Sequence, residues 1–374
     1  MLSSVSTQER ERRYQVVRQA MAQAGYDALI VAGFGDPFRR GYVRYLSGWH
    51  LWAGQGFLVV PLDRDPILLI GAGSQAHWAQ TWSWLADVRR GGAAEAASIV
   101  KELRIPAHRI GVAGLDDILP SRDKAVLTAA LGDSLHDATP MMDKIRLVKS
   151  AEEVAYMEET GRLVAQGIHR FKQALKPGRT EREVVAEAHE AVRALGCLDG
   201  IAHISNAAPP FIHPPLSRRI EADDIIKFSM EFAGPNGYWI ELAGIFSFGE
   251  PPAALHRRFE TWRHAFHRAA TRMKPGATAG EIVAEVEATF KDEGQPVSGR
   301  GIWDSHSIGL DVLEPPIITS REDTTVLQEG MVLCLHPGLL VGSEGWGVYI
   351  QENFVITPNG GRALSPLEHQ WNVV

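Results

Sequence analysis

Three histidines in the second half of the chain are the residues best suited to chemistry by type and setting. His213 lies in a proline-rich loop before a predicted hairpin, whereas His306 and His336 lie in separate β-rich segments. An unperturbed histidine has a pKa of ~6.5, so it can exchange protons or bind a metal ion near neutral pH. Glu241 and Gln351 fall on two further predicted strands. If these strands converge on one cleft, the five side chains form a polar active site.

Asn236 and Gly237 predict the hairpin that carries Glu241. This pair favours a tight hairpin turn because both residue types tolerate positive φ. The segments on either side are rich in apolar residues, and a second strand pair follows later in the chain. The predicted strands of this half are residues 225–231, 238–248, 331–335 and 348–357.

An internal repeat indicates how these strands are brought together. Residues 176–180 and 274–278 share the pattern Lys-Pro-Gly-x-Thr, in which one helix ends and a Thr caps the next. An amphipathic segment follows in both copies. The repeat favours a domain of two similar α/β halves around a shared cleft, although the same pattern is also ordinary helix–turn–helix chemistry.

The first half of the chain alternates between helix-like and strand-like segments, which is typical of an α/β domain. Its apolar runs are short and continuous, as expected for buried strands. The predicted helices are residues 9–24, 78–86 and 93–103, and the predicted strands are residues 28–32, 57–61, 67–70 and 110–112.

The character of the sequence changes near residue 145. Ser150 and Glu153 form a predicted capping box, which begins a long amphipathic helix. Residues 143–149 are interpreted as a linker. We therefore expect two domains, residues 1–145 and residues 146–374.

A glycine-rich segment at residues 71–76 follows a predicted strand and matches the glycine spacing of a dinucleotide-binding turn. Asp87 lies close to where a ribose acceptor would be expected. However, the segment is not in the first β-α-β unit of the chain. A tight strand-to-helix turn also explains the glycines, and we favour that interpretation.

Composition excludes several classes of protein. The 374 residues include 38 Lys and Arg against 45 Asp and Glu, a formal charge of −7, so the chain lacks the basic footprint of a nucleic-acid binder. No apolar run approaches the ~20 residues that span a bilayer, and the first residues do not resemble a secretory signal. Only Cys197 and Cys334 occur, which fits a reducing compartment. We expect a cytoplasmic enzyme with a small-molecule substrate and no membrane or nucleic-acid partner.

Several motifs of the second half occur in a characteristic order. In this order they resemble the pita-bread fold family of creatinase, prolidase, aminopeptidase P and methionine aminopeptidase. The resemblance implies an α/β N-terminal domain and an α+β pita-bread C-terminal domain with an internal pseudo-twofold repeat. The motifs are residues 147–153, Asn236-Gly237-Tyr238, residues 306–311 with Glu314-Pro315-Pro316, and residues 329–332 leading to Pro337-Gly338.

The chain departs from the metallopeptidases of that family at their metal ligands. The resemblance places the two Asp ligands at Met230 and Glu241, the His ligand at His306, and the two Glu ligands at His336 and Gln351. Methionine offers no charge to a hard divalent ion, and an amide oxygen is a weak donor. Glu241 is then the single carboxylate at these five positions, and a dinuclear centre is not expected. Glu241, His306 and His336 could still hold a single divalent metal ion.

The pattern also resembles creatinase, which uses this fold without a metal ion. The general acid/base histidine of creatinase falls on His213, whereas the glutamates that hold the creatine guanidinium fall on Ala243 and His336. Loss of both anions removes charge-assisted recognition of a cation. We therefore expect a carboxylate-bearing substrate other than creatine.

The main hypothesis is a metal-independent, creatinase-like hydrolase that cleaves a C–N bond of a small polar metabolite. His213 would move the proton, while His306 and His336 would orient the substrate or stabilise negative charge, with Glu241 completing the catalytic set. Two alternatives remain. One is a single-metal lyase, decarboxylase or Xaa-Pro-type peptidase, and the other is a non-catalytic binding protein.

Further residues are predicted to contact the substrate. In homologues with this N-terminal domain, a loop of one subunit reaches the cleft of the other, which implies a homodimer. The corresponding loop here is aromatic and basic, and Arg39 or Arg40 could anchor a carboxylate. The predicted substrate-binding residues are Met230, Tyr238, Trp303, Tyr349, Gln351, Arg39, Arg40 and Trp52.

Overall fold

The chain forms two compact units, Met1–Leu147 and Val148–Val374. The predicted boundary after residue 145 lies two residues before this division. No helix within the described residues is long and apolar enough to cross a membrane. The computed structural model describes residues 5–132, 135–206, 212–295, 304–318, 320–336 and 348–374.

The first unit contains a six-stranded sheet in the order β4-β3-β2-β1-β5-β6. Strand β2 runs antiparallel to β1 and β3, and the other neighbouring pairs are parallel. Its central strands are buried except at one end residue each of β1 and β2, which explains their nearly continuous apolar sequence. The strands are β1 Ala28–Phe34, β2 Gln55–Pro61, β3 Ile67–Ile70, β4 Asp87–Arg90, β5 Ile110–Ala113 and β6 His136–Asp137. The helices are α1 Thr7–Ala24, α2 Gly41–Ser47, α3 Gly73–Trp82, α4 Ala93–Glu102, α5 Ser121–Leu131 and α6 Thr139–Leu147.

Two local predictions for this unit are wrong in their placement. Helix α3 begins at Gly73 rather than at residue 78, because the glycine-rich segment is a tight turn from β3 directly into the helix. The predicted linker at residues 143–149 is mostly helical, since α6 continues to Leu147. Tyr42 holds this helix: its hydroxyl donates to Asp143, and the guanidinium of Arg146 lies 4.8 Å from its ring centroid.

Within its described residues, the second unit contains two sheets and four helices. Its four-stranded sheet has the order β15-β9-β8-β7, and its five-stranded sheet has the order β11-β10-β12-β13-β14. The helices are α7 Ala151–Ala174, α8 Glu181–Ala194, α9 Ala253–Arg272 and α10 Ala279–Asp292. The strands are β7 Asp199–Ser205, β8 Ile225–Ala233, β9 Trp239–Ser247, β10 Asp304–Ser307, β11 Glu314–Ile318, β12 Val332–His336, β13 Glu352–Thr357, β14 Gly360–Ala363 and β15 Asn372–Val373.

The internal repeat of the sequence is an internal repeat of the structure. Thr180 caps α8 and Thr278 caps α10, each in a capping box with the glutamate three residues later. The preceding glycines, Gly178 and Gly276, have φ values of +88° and +90°. Their N–H groups donate to the carbonyls of residues 220 and 327, at 2.8 and 2.9 Å. The two helix pairs are therefore anchored to their β segments by equivalent bonds.

Helix α7 covers one face of the four-stranded sheet. Ser150 caps it together with Glu153, as predicted. Its apolar side is buried, and Phe171 stacks on Phe228 of β8 with ring centroids 3.7 Å apart. Because side chains alternate along a strand, the residues next to Phe228 point to the opposite face. That face is free of the helix and carries the polar groups described below.

Candidate functional site

The register of the β8–β9 hairpin determines which residues share the polar face. Glu231 is directly opposite Glu241, and Ser229 is directly opposite Ala243. Directly opposed residues lie on one side of a sheet, so these four belong to the same face. The turn is closed by the N–H of Gly237, which donates to the Gly234 carbonyl at 2.8 Å.

Met230 does not lie on this face, contrary to the sequence prediction. It is opposite Leu242, is fully buried, and contacts α7: a methyl group added at Gly167 would lie 2.8 Å from its sulfur. The side chain that follows it, Glu231, takes the acidic position on the polar face. The expectation of a single carboxylate in the cleft is therefore wrong, because Glu231 and Glu241 are both present.

The five-stranded sheet contributes the other polar groups. His306 of β10 is directly opposite Cys334 of β12, and His336 follows two residues later on the same face. Gln351 forms a backbone bridge with Ala243, so it connects the two sheets. The amide of Asn353 adds a second link by donating to the main-chain carbonyl of Glu241 at 2.7 Å.

Glu241 is the centre of the group that results. Its Oε1 lies 3.4 Å from His306 Nε2, and its Oε2 lies 4.0 Å from His336 Nε2. Cys334 Sγ donates to Oε2 at 3.3 Å, and Gln351 Nε2 donates to the same oxygen at 3.0 Å. One potential ligand atom from each of Glu241, His306, Cys334 and His336 lies within 4.8 Å of all the others. The structure thus brings together three of the four predicted catalytic residues, Glu241, His306 and His336, and adds Cys334, which was not predicted.

Burial raises the pKa values of the two carboxyl groups. Desolvation raises the pKa of Glu231 to about 7, although Gln351 and Ser229 hydrogen-bond to it. Desolvation also raises the pKa of Glu241 well above its ordinary value, and the nearby Glu231 charge adds to this effect. Two acids in one poorly solvated site cannot easily both ionise unless a cation is present.

Burial shifts the other titratable groups toward their neutral forms. It lowers the pKa of His306, and it lowers the pKa of His336 to about 3, with the neighbouring His306 adding to the effect. The pKa of the Cys334 thiol is raised well above its usual range by the same desolvation and by Glu241. Neutral imidazoles are the forms that bind metal ions.

The residues do not fit a pair of bridging metal ions. Such a pair carries four positive charges and requires several anionic ligands, whereas the described cluster offers two carboxylates. Gln351 stands in a position that the family resemblance assigns to a glutamate. Its N–H is directed at Glu241 Oε2, so it competes with a metal ion for that oxygen.

The residues do fit a single ion. His306 Nδ1 lies 2.9 Å from the Ser307 carbonyl, which requires a proton on that nitrogen and leaves Nε2 with its lone pair. Nε2 then faces a carboxylate oxygen of Glu241 at 3.4 Å, and two acceptors at that distance need a proton or a cation between them. His336 approaches the other oxygen of the same carboxylate.

His213 lies outside this close group. Its backbone is paired with Ile204 of β7, and its Nδ1 lies 2.9 Å from the carbonyl of Pro214. The charge of His213 helps to lower the pKa of His203, after desolvation, so the two imidazoles are neighbours. His203 is opposite Ser229, which places it on the polar face of β8. The general acid/base role of His213 stays a prediction.

The remaining predicted contacts in this unit have other settings. Tyr238 is buried, and its hydroxyl donates to Glu153 Oε1 at 2.7 Å, which ties the hairpin to α7 rather than to the polar face. Tyr349 is partly buried, two residues before Gln351. Trp303 lies outside the described residues.

The predicted basic and aromatic loop is held by contacts within the first unit. Arg39 pairs with Asp36 at 2.6 Å. Arg40 is buried, and its guanidinium donates to the Asp36 carbonyl and approaches His50 Nε2 at 3.1 Å. Trp52 is 41% exposed and lies 5.0 Å from the Trp49 ring. These contacts are structural, and a role in substrate binding by this loop stays a prediction.

Sequence reasoning missed one further polar residue of the same face. Lys227 is fully buried two residues before Ser229 on β8, and desolvation lowers its pKa to about 8. The signal that could have found it is a lysine, a serine and a glutamate at alternate positions of an otherwise apolar strand.

Comparisons with known proteins agree with this architecture. Residues 155–358 match the model of metallopeptidase family M24, and residues 13–148 match that of the creatinase/prolidase N-terminal domain. A probable dipeptidase PepE of Mycobacterium tuberculosis is 27% identical over 264 residues, 69% of each chain. An Xaa-Pro dipeptidase of Pyrococcus furiosus is 28% identical over 235 residues, 60% of this chain and 65% of that one.

The structural similarity extends over nearly the whole chain. The crystal structure of an X-Pro aminopeptidase from Thermotoga maritima superposes with a TM-score of 0.84, covering 96% of this chain and 99% of that one at 20% identity. At this identity the similarity shows the fold alone. The family model covers more than half of the residues. The chain therefore belongs to metallopeptidase family M24, with a creatinase/prolidase N-terminal domain followed by the pita-bread domain.

Proposed function

We propose that the protein is a hydrolase that cleaves a C–N bond of a small, carboxylate-bearing peptide substrate with the help of one divalent transition-metal ion. Glu241, His306 and His336 would hold that ion. The observation that carries the proposal is the convergence of one carboxylate and two imidazoles: the two oxygens of Glu241 lie 3.4 Å from His306 Nε2 and 4.0 Å from His336 Nε2. The dipeptidase and Xaa-Pro dipeptidase activities named for relatives support peptide-like substrates.

Two histidines and one glutamate form the ligand set of several catalytic zinc sites. A bound ion in such a site polarises the scissile carbonyl and lowers the pKa of its water ligand to ~7. The neutral state of both imidazoles, produced by burial, is the state needed for coordination. The Ser307 carbonyl orients His306 by accepting its Nδ1 proton.

Glu231 is the residue best placed to move a proton. It is opposite Glu241 on the same face and is partly accessible, and in the metal-free protein desolvation raises its pKa to about 7. A bound cation would lower that pKa and favour the ionised form, which is the form that accepts a proton. A general base is most effective when its pKa lies near the working pH. Glu231 would accept a proton from the attacking water and return it to the leaving nitrogen. Ser229, which donates to Gln351 Oε1 at 2.7 Å, keeps the Gln351 amide directed toward Glu241.

The metal-independent mechanism is the second candidate. It is favoured by the Gln351 amide, which occupies one Glu241 oxygen without a metal ion. In that mechanism His213 would act as the general acid/base: it would take a proton from water and pass it to the leaving nitrogen. Glu241 and the two buried histidines would bind the substrate.

Removal of metal separates the two candidates. The protein would be stripped with a chelator, assayed on a panel of Xaa-Pro and other dipeptides, and then titrated with Zn²⁺, Co²⁺ and Mn²⁺. The proposal expects loss of hydrolysis on stripping and recovery at one ion per chain. Full turnover by stripped protein, lost in His213→Ala, would instead establish the metal-independent mechanism.

A further inference from the structure

We infer that Cys334 is a thiolate ligand of the metal ion, so that the centre is a mixed nitrogen, oxygen and sulfur site. The inference rests on the proposed function, because it concerns the same ion. It goes beyond it by naming a fourth ligand and the class of metal that the site selects.

The position of Cys334 follows from strand register. It is directly opposite His306 in the β10–β12 ladder, and Cβ atoms of opposed residues lie ~4.5–5.5 Å apart. His336 lies two residues along the same strand and therefore on the same face. The imidazoles of the two histidines are 4.9 Å apart between ring centroids. The strand register therefore places the two imidazoles and the Cys334 sulfur close together on one face of the sheet.

The direct contacts of the thiol lead to the same assignment. Cys334 is completely buried, and its Sγ lies 3.3 Å from Glu241 Oε2. The Ser305 hydroxyl donates to the Cys334 carbonyl at 2.7 Å, which fixes this part of the strand. Metal binding would break the S–H bond, form a metal–sulfur bond, and release the thiol proton to solvent. With four protein ligands, the ion would have to expand to five-coordination to bind a water molecule.

A thiolate changes which metal the site prefers. Thiolate and imidazole ligands favour Zn²⁺, Co²⁺ and Cd²⁺, whereas sites rich in carboxylates favour Mg²⁺ and Mn²⁺. Relative to the ligand set that the family resemblance implies, this chain has His336 in place of one glutamate and Gln351 in place of the other, and Cys334 lies beside them. The site should therefore bind Zn²⁺, Co²⁺ and Cd²⁺ in preference to Mn²⁺.

Absorption spectroscopy of metal-substituted protein tests the inference without an activity assay. Metal-stripped full-length protein would be titrated with Co²⁺ and Cd²⁺ while the thiolate-to-metal charge-transfer band is recorded. The chain offers a matched control: Cys197, its other cysteine, is also buried but lies outside the cluster. We expect the band to saturate at one ion per chain in wild type and in Cys197→Ser, and to be missing in Cys334→Ser. Cys334→Ser should weaken Cd²⁺ binding by roughly tenfold or more and Mn²⁺ binding by much less.

The possible outcomes are distinct. Stoichiometric Co²⁺ and Cd²⁺ binding without a charge-transfer band in wild type would overturn the thiolate ligand but leave the single-ion proposal intact. Failure of every ion to bind would overturn both. If Cys334→Ser does not fold, alkylation of wild type decides: bound Cd²⁺ should protect Cys334 from a thiol reagent after partial unfolding, and equal modification with and without Cd²⁺ would contradict the inference.

Discussion

Glu231 and Glu241 lie directly opposite each other across the β8–β9 hairpin, on the face that also receives His306 and His336. This relationship concentrates two weakly acidic carboxyl groups in a site with little solvent. In the metal-free protein such groups retain protons, whereas a bound cation would allow them to ionise. A single bound cation would therefore offset the repulsion between the two carboxylates.

The first prediction concerns the distinct roles of these glutamates. Glu241→Gln should lower metal affinity by about a hundredfold and reduce kcat/KM in parallel, because it removes a ligand. Glu231→Gln should leave one ion bound per chain but lower kcat by about a hundredfold or more, because it removes the base.

Metal content by mass spectrometry and steady-state kinetics on the same preparations check this difference. Glu158→Gln is a suitable control, since Glu158 is a surface residue that contacts Arg362 far along the chain. Equal metal loss in both active-site variants would contradict the assignment of Glu231 as a base.

The features of this fold that could be predicted from sequence are those encoded by neighbouring residues. The capping boxes at Thr180 and Thr278, and the hairpin turn at Gly237, are local patterns and were predictable. Glu231 was not, because a one-residue change of register decides whether position 230 or 231 reaches the polar face. The place of Cys334 in the site could not be predicted either, since a cysteine within an apolar strand is usually a core residue.

The second prediction is a pH dependence of stability in the metal-free protein. Glu231 has an ordinary pKa of 4.5 and a folded pKa of about 7, so its stabilising contribution is complete below pH 4.5 and is lost as the pH rises through 7. His336 behaves oppositely: its folded pKa of about 3 lies below the ordinary 6.5, so its contribution is lost only as the pH falls below 6.5. Burial lowers the pKa of His306 as well, so the contribution of Glu231 is isolated by comparison with Glu231→Gln.

We therefore expect the free energy of unfolding of wild type to fall by about 1 kcal/mol relative to that of Glu231→Gln between about pH 6.5 and 8. Urea denaturation of both proteins in the presence of a chelator measures this difference. Saturating Zn²⁺ should remove it. Parallel profiles of the two stripped proteins would contradict the raised pKa of Glu231.

The third prediction concerns the buried ion pair at the start of the second unit. Lys149 Nζ lies 3.0 Å from Glu314 Oε2 and 3.1 Å from Ser307 Oγ, and both charged side chains are less than a tenth exposed. Ser307 also holds His306 through its carbonyl. Lys149→Met should cost about 3–5 kcal/mol, because it removes the positive charge that balances the buried Glu314 carboxylate.

Urea denaturation of a double-mutant cycle tests that explanation. Glu314→Gln in the Lys149→Met background removes the uncompensated charge, so the double variant should be more stable than Lys149→Met alone. Additive losses would show that the pair contributes through packing rather than charge.

The fourth prediction exploits Gln351, which donates to Glu241 Oε2 at 3.0 Å and accepts from Ser229. Gln351→Glu replaces a donor by a third carboxylate next to two others. The metal-free variant should therefore unfold at a lower temperature than wild type, and the difference should grow with pH as the carboxyl groups ionise. Saturating divalent metal should reverse the order, because an added anionic ligand binds a cation more tightly than an amide does.

Thermal unfolding with chelator and with Mn²⁺ or Co²⁺ measures both effects, and Gln351→Leu serves as the control that removes the donor without adding charge. If Gln351→Glu were destabilised equally with and without metal, Gln351 would be a structural link between the sheets and not part of the metal environment.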